Sequence, residues 1–455
     1  MDKLNQILEE LKAPMTATLA EWIQTSSIRQ DAAPQAPFGE DLKKMLEQAL
    51  ADCKAMGFDV KNVDGYAGHA EMGTGSDEDA LAILVHLDLV PVGDGWTKDP
   101  FGAQIVDGRM YGRGTSDDKG PAVAALYAMR AVHLAGIPLK RKVRLILGCD
   151  EESGMECMQY YKKHETMPRM GFSPDADYPV INIEKGMVGL QLRAVPSKEG
   201  LQVLRWATGE RMNVIPGSAT ALVDGDDSLI AKTESISRQY GWPVHARKAE
   251  GGIEITAEGV PGHAAYPQGG RNAIGQLLIT LRDLGAKGAI KTLADTIGTT
   301  YWGEGIGAMV EDKLSGKLTC NMGIIRVDRE SLYATLDIRS PILTDRVYLV
   351  QMIRQHLPGF EVTQTTDKAP HHVPENSELV QSLLAAYHEV TGLEKKALAI
   401  GGGTYAKMLK EGVAFGASFP GDPEVAHQAD EYVNLDSLYK SMKIFAYAIV
   451  KLAGA

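Results

Sequence analysis

Apolar runs and helical patterns alternate along the first third of the chain. Strands are predicted at residues 82–85, 143–147 and 180–183, a hairpin at 104–111, and helices at 1–25, 120–133 and from about 153. Gly136 is placed to end the second of these helices, and Asp107-Gly108 is a hairpin turn pair. Strands alternating with helices favour an α/β fold with a mainly parallel sheet covered on both faces.

The pattern changes near residue 187. Alternating segments such as residues 252–257 and 332–338 predict an antiparallel sheet, with one clear helix at about 272–284. The α/β pattern returns after Pro374, with helices predicted at 376–390, 404–411 and 436–453 and a strand at 397–400. We therefore predict a catalytic domain formed by residues 1–186 and 374–455, interrupted by an inserted α+β domain at 187–373.

Composition narrows the class of protein. The 455 residues include 44% apolar residues, enough for two packed cores. The net charge is −12 and no basic stripe is present, so neither nucleic acid nor an anionic membrane is an expected partner. The four cysteines lack Cys-x-x-Cys spacing, and no signal peptide or long apolar run is found. These features predict a cytoplasmic protein.

Three short strings offer metal ligands within one region of the chain. They are His86-Leu87-Asp88, Asp117-Asp118-Lys119-Gly120 and Asp150-Glu151-Glu152, and each stands where an apolar run ends or a helix begins. Imidazole and carboxylate groups are ligands of divalent metals, and a neighbouring carboxylate can move a proton. Together the strings indicate metal-assisted hydrolysis.

Each string also has a structural explanation. His86 and Asp88 lie on one face of a strand end, where a buried hydrogen bond without metal would also fit. Asp117 and Asp118 would suit a helix N-terminus, and Asp150-Glu151-Glu152 would suit an acidic turn, as would Asp175. The glycine run at residues 401–403 lacks a nucleotide-binding fingerprint, so phosphate binding is disfavoured.

The strings taken together resemble the signature blocks of the aminoacylase/carboxypeptidase G metallopeptidase family. The resemblance is closest to the PepV-type dipeptidases, which are related to carnosinases. It rests on the three strings above and on further segments in the same order, at residues 95–101, 172–176, 401–406, 413–416 and 426–429. It implies a zinc-peptidase-like catalytic domain with an inserted lid domain.

The resemblance implies two divalent metal ions with a shared ligand. His86, Asp117 and Asp175 would hold one metal, and Asp117, Glu152 and His427 would hold the other. Asp118 and Asp150 would not be ligands. The peptide bond after Asp117 would be cis.

The resemblance also implies roles for residues that do not bind metal. Glu151 would be the general base. Asp88 would not bind metal itself but would orient the ring of His86. From the inserted domain, His263 would stabilise the oxyanion, Arg339 would pair with the substrate carboxylate, and Asn213 would assist in the same pocket. Gly402 and Gly403 would line the substrate site.

The predicted function is therefore a two-metal dipeptidase that hydrolyses short peptides, mainly dipeptides, by a metal-bound hydroxide. Zinc is the expected metal, with manganese and cobalt as alternatives, and a monomer is favoured over a homodimer. Two other functions stay open: an N-acyl amino acid deacylase of the same family, and a catalytically silent metal-binding homologue.

Overall fold

The computed structural model describes residues 1–455, and the chain forms two compact units. The first comprises residues 1–182, 372–398 and 403–455, and the second comprises residues 183–371 and 399–402. The second unit is thus inserted into the first. The sequence placed the breaks at 186/187 and 373/374 and did not assign residues 399–402 to the inserted unit.

The elements before the insertion are helices α1 (Asp2–Glu10), α2 (Lys12–Gln24), α3 (Glu40–Ala55), α4 (Lys119–Ala135) and α5 (Glu156–His164), and strands β1 (Asp59–Val63), β2 (Ala67–Met72), β3 (Leu81–His86), β4 (Gln104–Val106), β5 (Arg109–Tyr111), β6 (Val143–Gly148), β7 (Met170–Ser173), β8 (Ala176–Asp177) and β9 (Val180–Glu184).

The next elements are strands β10 (Gly186–Ala194), β11 (Val203–Thr208), β12 (Val214–Ile215), β13 (Ser218–Val223), β14 (Val244–Ala249), β15 (Gly252–Glu258), β16 (Gly262–His263), β17 (Glu311–Asp312), β18 (Gly316–Lys317), β19 (Thr319–Val327), β20 (Leu332–Ser340) and β21 (Glu361–Lys368), with helices α6 (Ser228–Tyr240), α7 (Ala273–Asp283), α8 (Ala289–Thr296) and α9 (Arg346–His356). The last elements are strands β22 (His371–His372), β23 (Ala397–Ile400), β24 (Glu411–Ala414), β25 (Ala417–Ser418) and β26 (Tyr432–Asn434), and helices α10 (Glu378–Thr391) and α11 (Leu435–Ala453).

The main sheet of the first unit is parallel at its centre. β6 pairs with β3, β3 with β7, and β7 with β24, all in parallel. Towards the edges, β1–β2, β2–β6 and β24–β9 are antiparallel. The centre of the sheet is thus parallel, as predicted, and its edge strands are antiparallel. β3 and β6 are buried along their whole length, as strands covered on both faces should be.

The inserted unit is built on one antiparallel sheet with the order β14-β15-β13-β11-β19-β20-β10-β21. Residues of β15 alternate between buried and half-buried, which is the pattern of a sheet with one covered face. The α+β prediction is confirmed, but this unit has four helices where the sequence indicated one. In α6 the buried stripe consists of Leu229, Thr233 and Ile236, and the threonine weakens the apolar period.

Three predicted helices have different bounds in the structure. The N-terminal helix is two helices that meet at Leu11, because Pro14 has no N–H to continue the hydrogen-bond ladder. The helix predicted from 153 begins at Glu156. The helix predicted at 404–411 is wrong: residues 405–408 form a 3₁₀ turn, and the chain then extends as β24 to pair with β7. None of the helices combines the length and apolar character needed to cross a bilayer.

A buried histidine in the sheet couples stability to pH. His69 on β2 is 5% exposed, and its Nδ1 lies 2.8 Å from the hydroxyl of Tyr161. Burial, reinforced by the positive charge of Arg144, lowers the pKa of His69 to about 4. The unfolded chain therefore binds a proton between about pH 6.5 and pH 4 that the folded chain does not. Stability from this residue is complete above pH 6.5 and is lost as the pH falls.

A His69→Gln variant should flatten this pH dependence, because glutamine stays neutral and can still accept from Tyr161. Between pH 7 and pH 5 the wild type should lose about 2 kcal/mol more unfolding free energy than the variant. Urea unfolding with chelator present measures this difference without interference from metal. His164→Gln, at an exposed histidine of α5, is the control and should match the wild type. Equal slopes for wild type and His69→Gln would contradict the prediction.

Candidate metal centre

Three acid- or histidine-bearing loops follow neighbouring strands of the central sheet. β3 ends on His86, β6 ends two residues before Asp150-Glu151-Glu152, and β7 ends two residues before Asp175. The parallel register sets His86 opposite Gly148. These side chains therefore lie at the carboxyl edge of the sheet, where α/β proteins bind their ligands.

The carboxylate of Asp117 lies between two histidines that are more than 300 residues apart in sequence. Its Oδ1 is 2.9 Å from Nε2 of His86, and its Oδ2 is 2.8 Å from Nε2 of His427. The same His427 nitrogen is 2.8 Å from Oε1 of Glu152. The Asp117–Asp118 peptide bond is cis, as the resemblance implied. Asp117 therefore has the geometry of a carboxylate shared by two sites.

Two groups of ligand atoms cluster within 4.8 Å of one another. One contains His86, Asp117 and Glu152, and the other contains His86, Glu151 and Asp175. Asp175 Oδ2 is 3.8 Å from His86 Nε2. The structure thus brings all five predicted metal ligands together, His427 through its contacts with Asp117 and Glu152. Glu151, predicted as the base and not as a ligand, lies in the same cluster.

The hydrogen bonds of His86 fix which ring nitrogen faces the cluster. Nδ1 is 3.0 Å from the main-chain oxygen of Asp88, an acceptor, so Nδ1 carries a proton and Nε2 is the nitrogen that faces the cluster. The prediction gave this role to the Asp88 carboxylate, whose Oδ1 is farther away, at 3.5 Å. That carboxylate instead accepts the main-chain N–H groups of Glu151 and Glu152, both at 3.0 Å.

The charges of the cluster call for cations. Hydrogen bonds to Asp117 and Glu152 raise the pKa of His427 to about 10. His86 is fully buried, which would lower its pKa, yet its contacts with Asp117 and Asp88 raise it well above the ordinary value. Carboxylates therefore hold protons on both imidazoles, in places where divalent cations would supply the positive charge. Two imidazoles with several carboxylates are a donor set that fits zinc, manganese or cobalt.

The same surroundings also raise the pKa of Glu151. Burial raises the pKa of Glu151 to about 8, and the neighbouring charges of Glu152 and Asp88 add to this effect. A carboxyl group with a pKa near neutrality can both accept and return a proton. Its position in the cluster and its proton affinity suit a general base.

Two acids beside the cluster serve the main chain. Asp118 is buried, its Oδ2 accepts the N–H of His86 at 3.1 Å, and burial raises its pKa to about 8. Asp150 is buried, forms an ion pair with Arg29, and accepts the N–H of Glu156 at 2.9 Å. Neither belongs to the groups of clustered ligand atoms described above. Sequence reasoning left the role of Asp150 undefined; its contacts place it as an anchor of the loop that bears Glu151.

Sequence reasoning missed Glu431 and Arg113. Their side chains are buried and form an ion pair at 2.5 Å between Arg113 Nη1 and Glu431 Oε2. Signals for both were present: Arg113 stands between two glycines just before Asp117, and Glu431 follows His427 by four residues. An arginine and an acid flanking ligand strings are candidates for supporting such a site.

The inserted unit brings Asn213 next to His263. Strand β12 pairs with β16 so that Val214 lies opposite His263, and the N–H of Ala264 donates to the main-chain oxygen of Asn213 at 2.9 Å. The N–H of Ala265 donates to Nδ1 of His263 at 3.2 Å. In the neutral ring the proton is therefore on Nε2, which can donate to an oxyanion.

Arg339 lies in the same unit and is nearly fully buried. Its Nε and Nη2 donate to both carboxylate oxygens of Asp337 at 2.6 and 3.0 Å, and Nη1 donates to Gly401 O at 2.6 Å. Three of its five N–H donors are thus engaged, which leaves two for another acceptor. A Cβ on Gly401 would lie 2.7 Å from that of Ala265, so Arg339, Gly401 and the His263 segment are neighbours. Gly402 ends the inserted unit, and Gly403 resumes the first.

The sequence matches a known family over most of its length. The model of "Peptidase family M20/M25/M40" matches residues 82–451. The "Putative dipeptidase YtjP" of Bacillus subtilis is 37% identical over 447 residues, covering 95% of this chain and 96% of that protein. The "Beta-Ala-Xaa dipeptidase" of Lactobacillus delbrueckii subsp. lactis is 33% identical over 467 residues, covering 99% of this chain and 96% of that protein.

A solved structure has the same fold at low sequence identity. Human carnosine dipeptidase 1 superposes with a TM-score of 0.62 at 15% identity, covering 99% of this chain and 98% of that one. The fold predicted from the sequence, with its inserted α+β domain, is confirmed.

Replacing Asp117 with alanine should remove metal from both sites, because its two oxygens face the two histidines that are predicted as ligands. We expect fewer than two metal ions per chain, with affinities reduced at least as much as the roughly 100-fold that loss of an outer partner costs. Metal analysis after dialysis against a defined metal buffer measures the stoichiometry. Asp118→Asn is the matched control, since this buried neighbour supports only the main chain of His86, and it should keep two metals. Two metals bound to Asp117→Ala would show that Asp117 is not the shared ligand.

Proposed function

The chain belongs to the peptidase family M20/M25/M40, and on that premise we propose that it is a metal-dependent dipeptidase. The observation that carries the proposal is the carboxylate of Asp117 set between His86 and His427, with Glu151 in the same cluster. The dipeptidase names of the two relatives described above support the substrate class. The presence of Glu151 disfavours a silent metal-binding protein, because binding alone does not need a base.

The ligand sets proposed are those of the resemblance. His86, Asp117 and Asp175 would hold one ion, and Asp117, Glu152 and His427 would hold the other. When bound, two divalent ions lower the pKa of a water molecule and polarise the scissile carbonyl.

Glu151 performs the proton transfers of the reaction. It accepts the proton of the attacking water and returns it to the amine that leaves when the peptide bond breaks. Burial raises the pKa of Glu151 to about 8, and the neighbouring carboxylates add to this effect, which favours the protonated form. The carboxylate of Asp88 accepts the main-chain N–H groups of Glu151 and Glu152, and it therefore fixes the position of the base, Glu151, relative to the ligand, Glu152.

The inserted unit supplies the groups that recognise the substrate. His263 donates from Nε2 to the oxyanion, and the two remaining N–H donors of Arg339 take the substrate carboxylate, as the planar guanidinium suits. Asn213, Gly402 and Gly403 complete the substrate site.

Zinc is the proposed metal, with manganese and cobalt as alternatives that accept the same nitrogen and oxygen ligands. We also propose that the protein is cytoplasmic and monomeric. Four free and buried cysteines support a reducing compartment.

A Glu151→Gln variant should keep its metals and lose catalysis, because glutamine cannot accept the proton. We expect kcat for a dipeptide to fall by about 10²- to 10⁴-fold. Amine release measures the rate, and metal analysis shows that the site is loaded. Glu156→Gln is the control, since this exposed acid lies in the same segment outside the cluster. Full hydrolysis by loaded Glu151→Gln would exclude Glu151 as the base.

A substrate panel separates the dipeptidase from the deacylase of the same family. Dipeptides, including β-alanyl dipeptides, should be hydrolysed with a kcat/KM at least about 100-fold above those of tripeptides and N-acetyl amino acids, since an N-acetyl amino acid lacks the free amine of a dipeptide and a tripeptide is longer than a site for two residues. The panel is run with chelated protein reloaded with zinc, manganese or cobalt. Preference for N-acetyl amino acids with every metal would establish the deacylase.

A further inference from the structure

We propose that the buried ion pair between Arg113 and Glu431 is a positioning device that sets Asp117 against His427 and thereby tunes the affinity of the metal held by those two residues. The inference rests on the proposed function, because it takes Asp117 and His427 as ligands. It concerns neither a ligand nor the base. Arg113 and Glu431 act through the main chain of the loops that carry the ligands.

Glu431 holds the loop that carries Asp117. Its side chain is fully buried, and its Oε1 accepts the N–H groups of Gly114 at 3.0 Å, Ser116 at 2.9 Å and Asp117 at 3.3 Å. Three main-chain donors converging on one carboxylate oxygen fix the path of the loop, including the peptide plane that precedes the Asp117 side chain. A cap on a single helix end would not need this arrangement.

Arg113 joins this loop to the segment that carries His427. Its Nη1 donates to Oε2 of Glu431 at 2.5 Å and to the main-chain oxygen of Gln428 at 3.3 Å. Its Nη2 donates to the main-chain oxygen of Val92 at 3.0 Å, and its guanidinium lies over the ring of Trp96. Gln428 directly follows His427, so the arginine restrains the histidine through one peptide unit.

The ion pair therefore ties together two segments that are far apart in sequence. The pair fixes the loop before Asp117 and the segment after His427. The side chains of these two residues are in contact, with Asp117 Oδ2 2.8 Å from His427 Nε2. His86 and Asp175 follow strands β3 and β7 of the central sheet and depend on the pair only through Asp117. Loosening the pair should weaken the metal held by Glu152 and His427 more than the other metal.

The test is metal binding by Glu431→Gln in the full-length protein. Glutamine keeps one oxygen for the three N–H donors and loses the charge that faces Arg113. We expect one equivalent of zinc to bind with nearly wild-type affinity and the other to bind 10- to 100-fold more weakly, the range typical for loss of an outer-shell partner. Zinc titration against a competing chelator resolves the two equivalents. Excess zinc should restore kcat towards the wild-type value.

The matched control is Glu71→Gln. Glu71, on β2 of the same unit, pairs with the buried Arg144 at 2.6 Å. Arg144 lies near the start of β6, at the opposite end of that strand from the cluster. The same chemical change should lower stability there and leave both zinc affinities as in the wild type. If Glu431→Gln does not fold, Arg113→Lys replaces it, because one ammonium can face Glu431 but cannot also reach the Gln428 and Val92 oxygens.

The outcomes separate this inference from the proposed function. Two outcomes would overturn the inference without affecting the proposed dipeptidase function. One is that Glu431→Gln binds both zinc ions with wild-type affinity. The other is that Glu71→Gln weakens one zinc ion as much as Glu431→Gln does. Equal weakening of both equivalents in Glu431→Gln would also overturn it, since a general loss of structure would produce that result. Failure of the wild type to bind two zinc ions or to cleave dipeptides would contradict the proposed function itself.

Discussion

Crowding of carboxylates at one buried edge of a sheet is the constraint to which the rest of this site responds. A buried carboxylate is costly unless a cation or hydrogen-bond donors face it, and like charges close together raise the cost further. Asp117, Glu151, Glu152 and Asp175 cannot all be ionised there without positive charge nearby. The imidazoles of the metal-free chain supply part of that charge. Divalent ions supply more, so metal binding and stability should be linked.

The remaining acids meet the same constraint in another way. Asp88 and Glu431 receive main-chain N–H groups, Asp118 receives one from His86, and Asp150 receives one together with the guanidinium of Arg29. Each of these main-chain donors belongs to a predicted ligand or lies within four residues of one. Acids that are not ligands therefore fix the loops on which the ligands stand. The region is acidic throughout, but its acids divide into those that face the cluster and those that face the main chain.

The two classes of acid differ in how well the sequence could predict their roles. Buried strands that end in acids indicated the carboxyl-edge site, and the family resemblance supplied the ligand set that the structure gathers around Asp117. Single-sequence patterns report on residues close in the chain, and Glu431 acts on residues more than 300 positions away. The same limit applies to the helix predicted at 404–411. Only pairing with β7, a distant strand, shows that the chain there extends into β24.

Assembly of the centre consequently depends on the last segment of the chain. His427 and Glu431 reach the site only when residues 403–455 join the first unit, where β24 extends the central sheet beside β7 and α11 packs on α4. Those contacts are strand pairing and helix packing, so they bring the segment into the first unit but do not by themselves set Asp117 against His427. The Arg113–Glu431 pair provides that alignment, since a charge pair with fixed main-chain partners tolerates little displacement. Packing thus brings the two halves of the ligand set together, and buried charge aligns them.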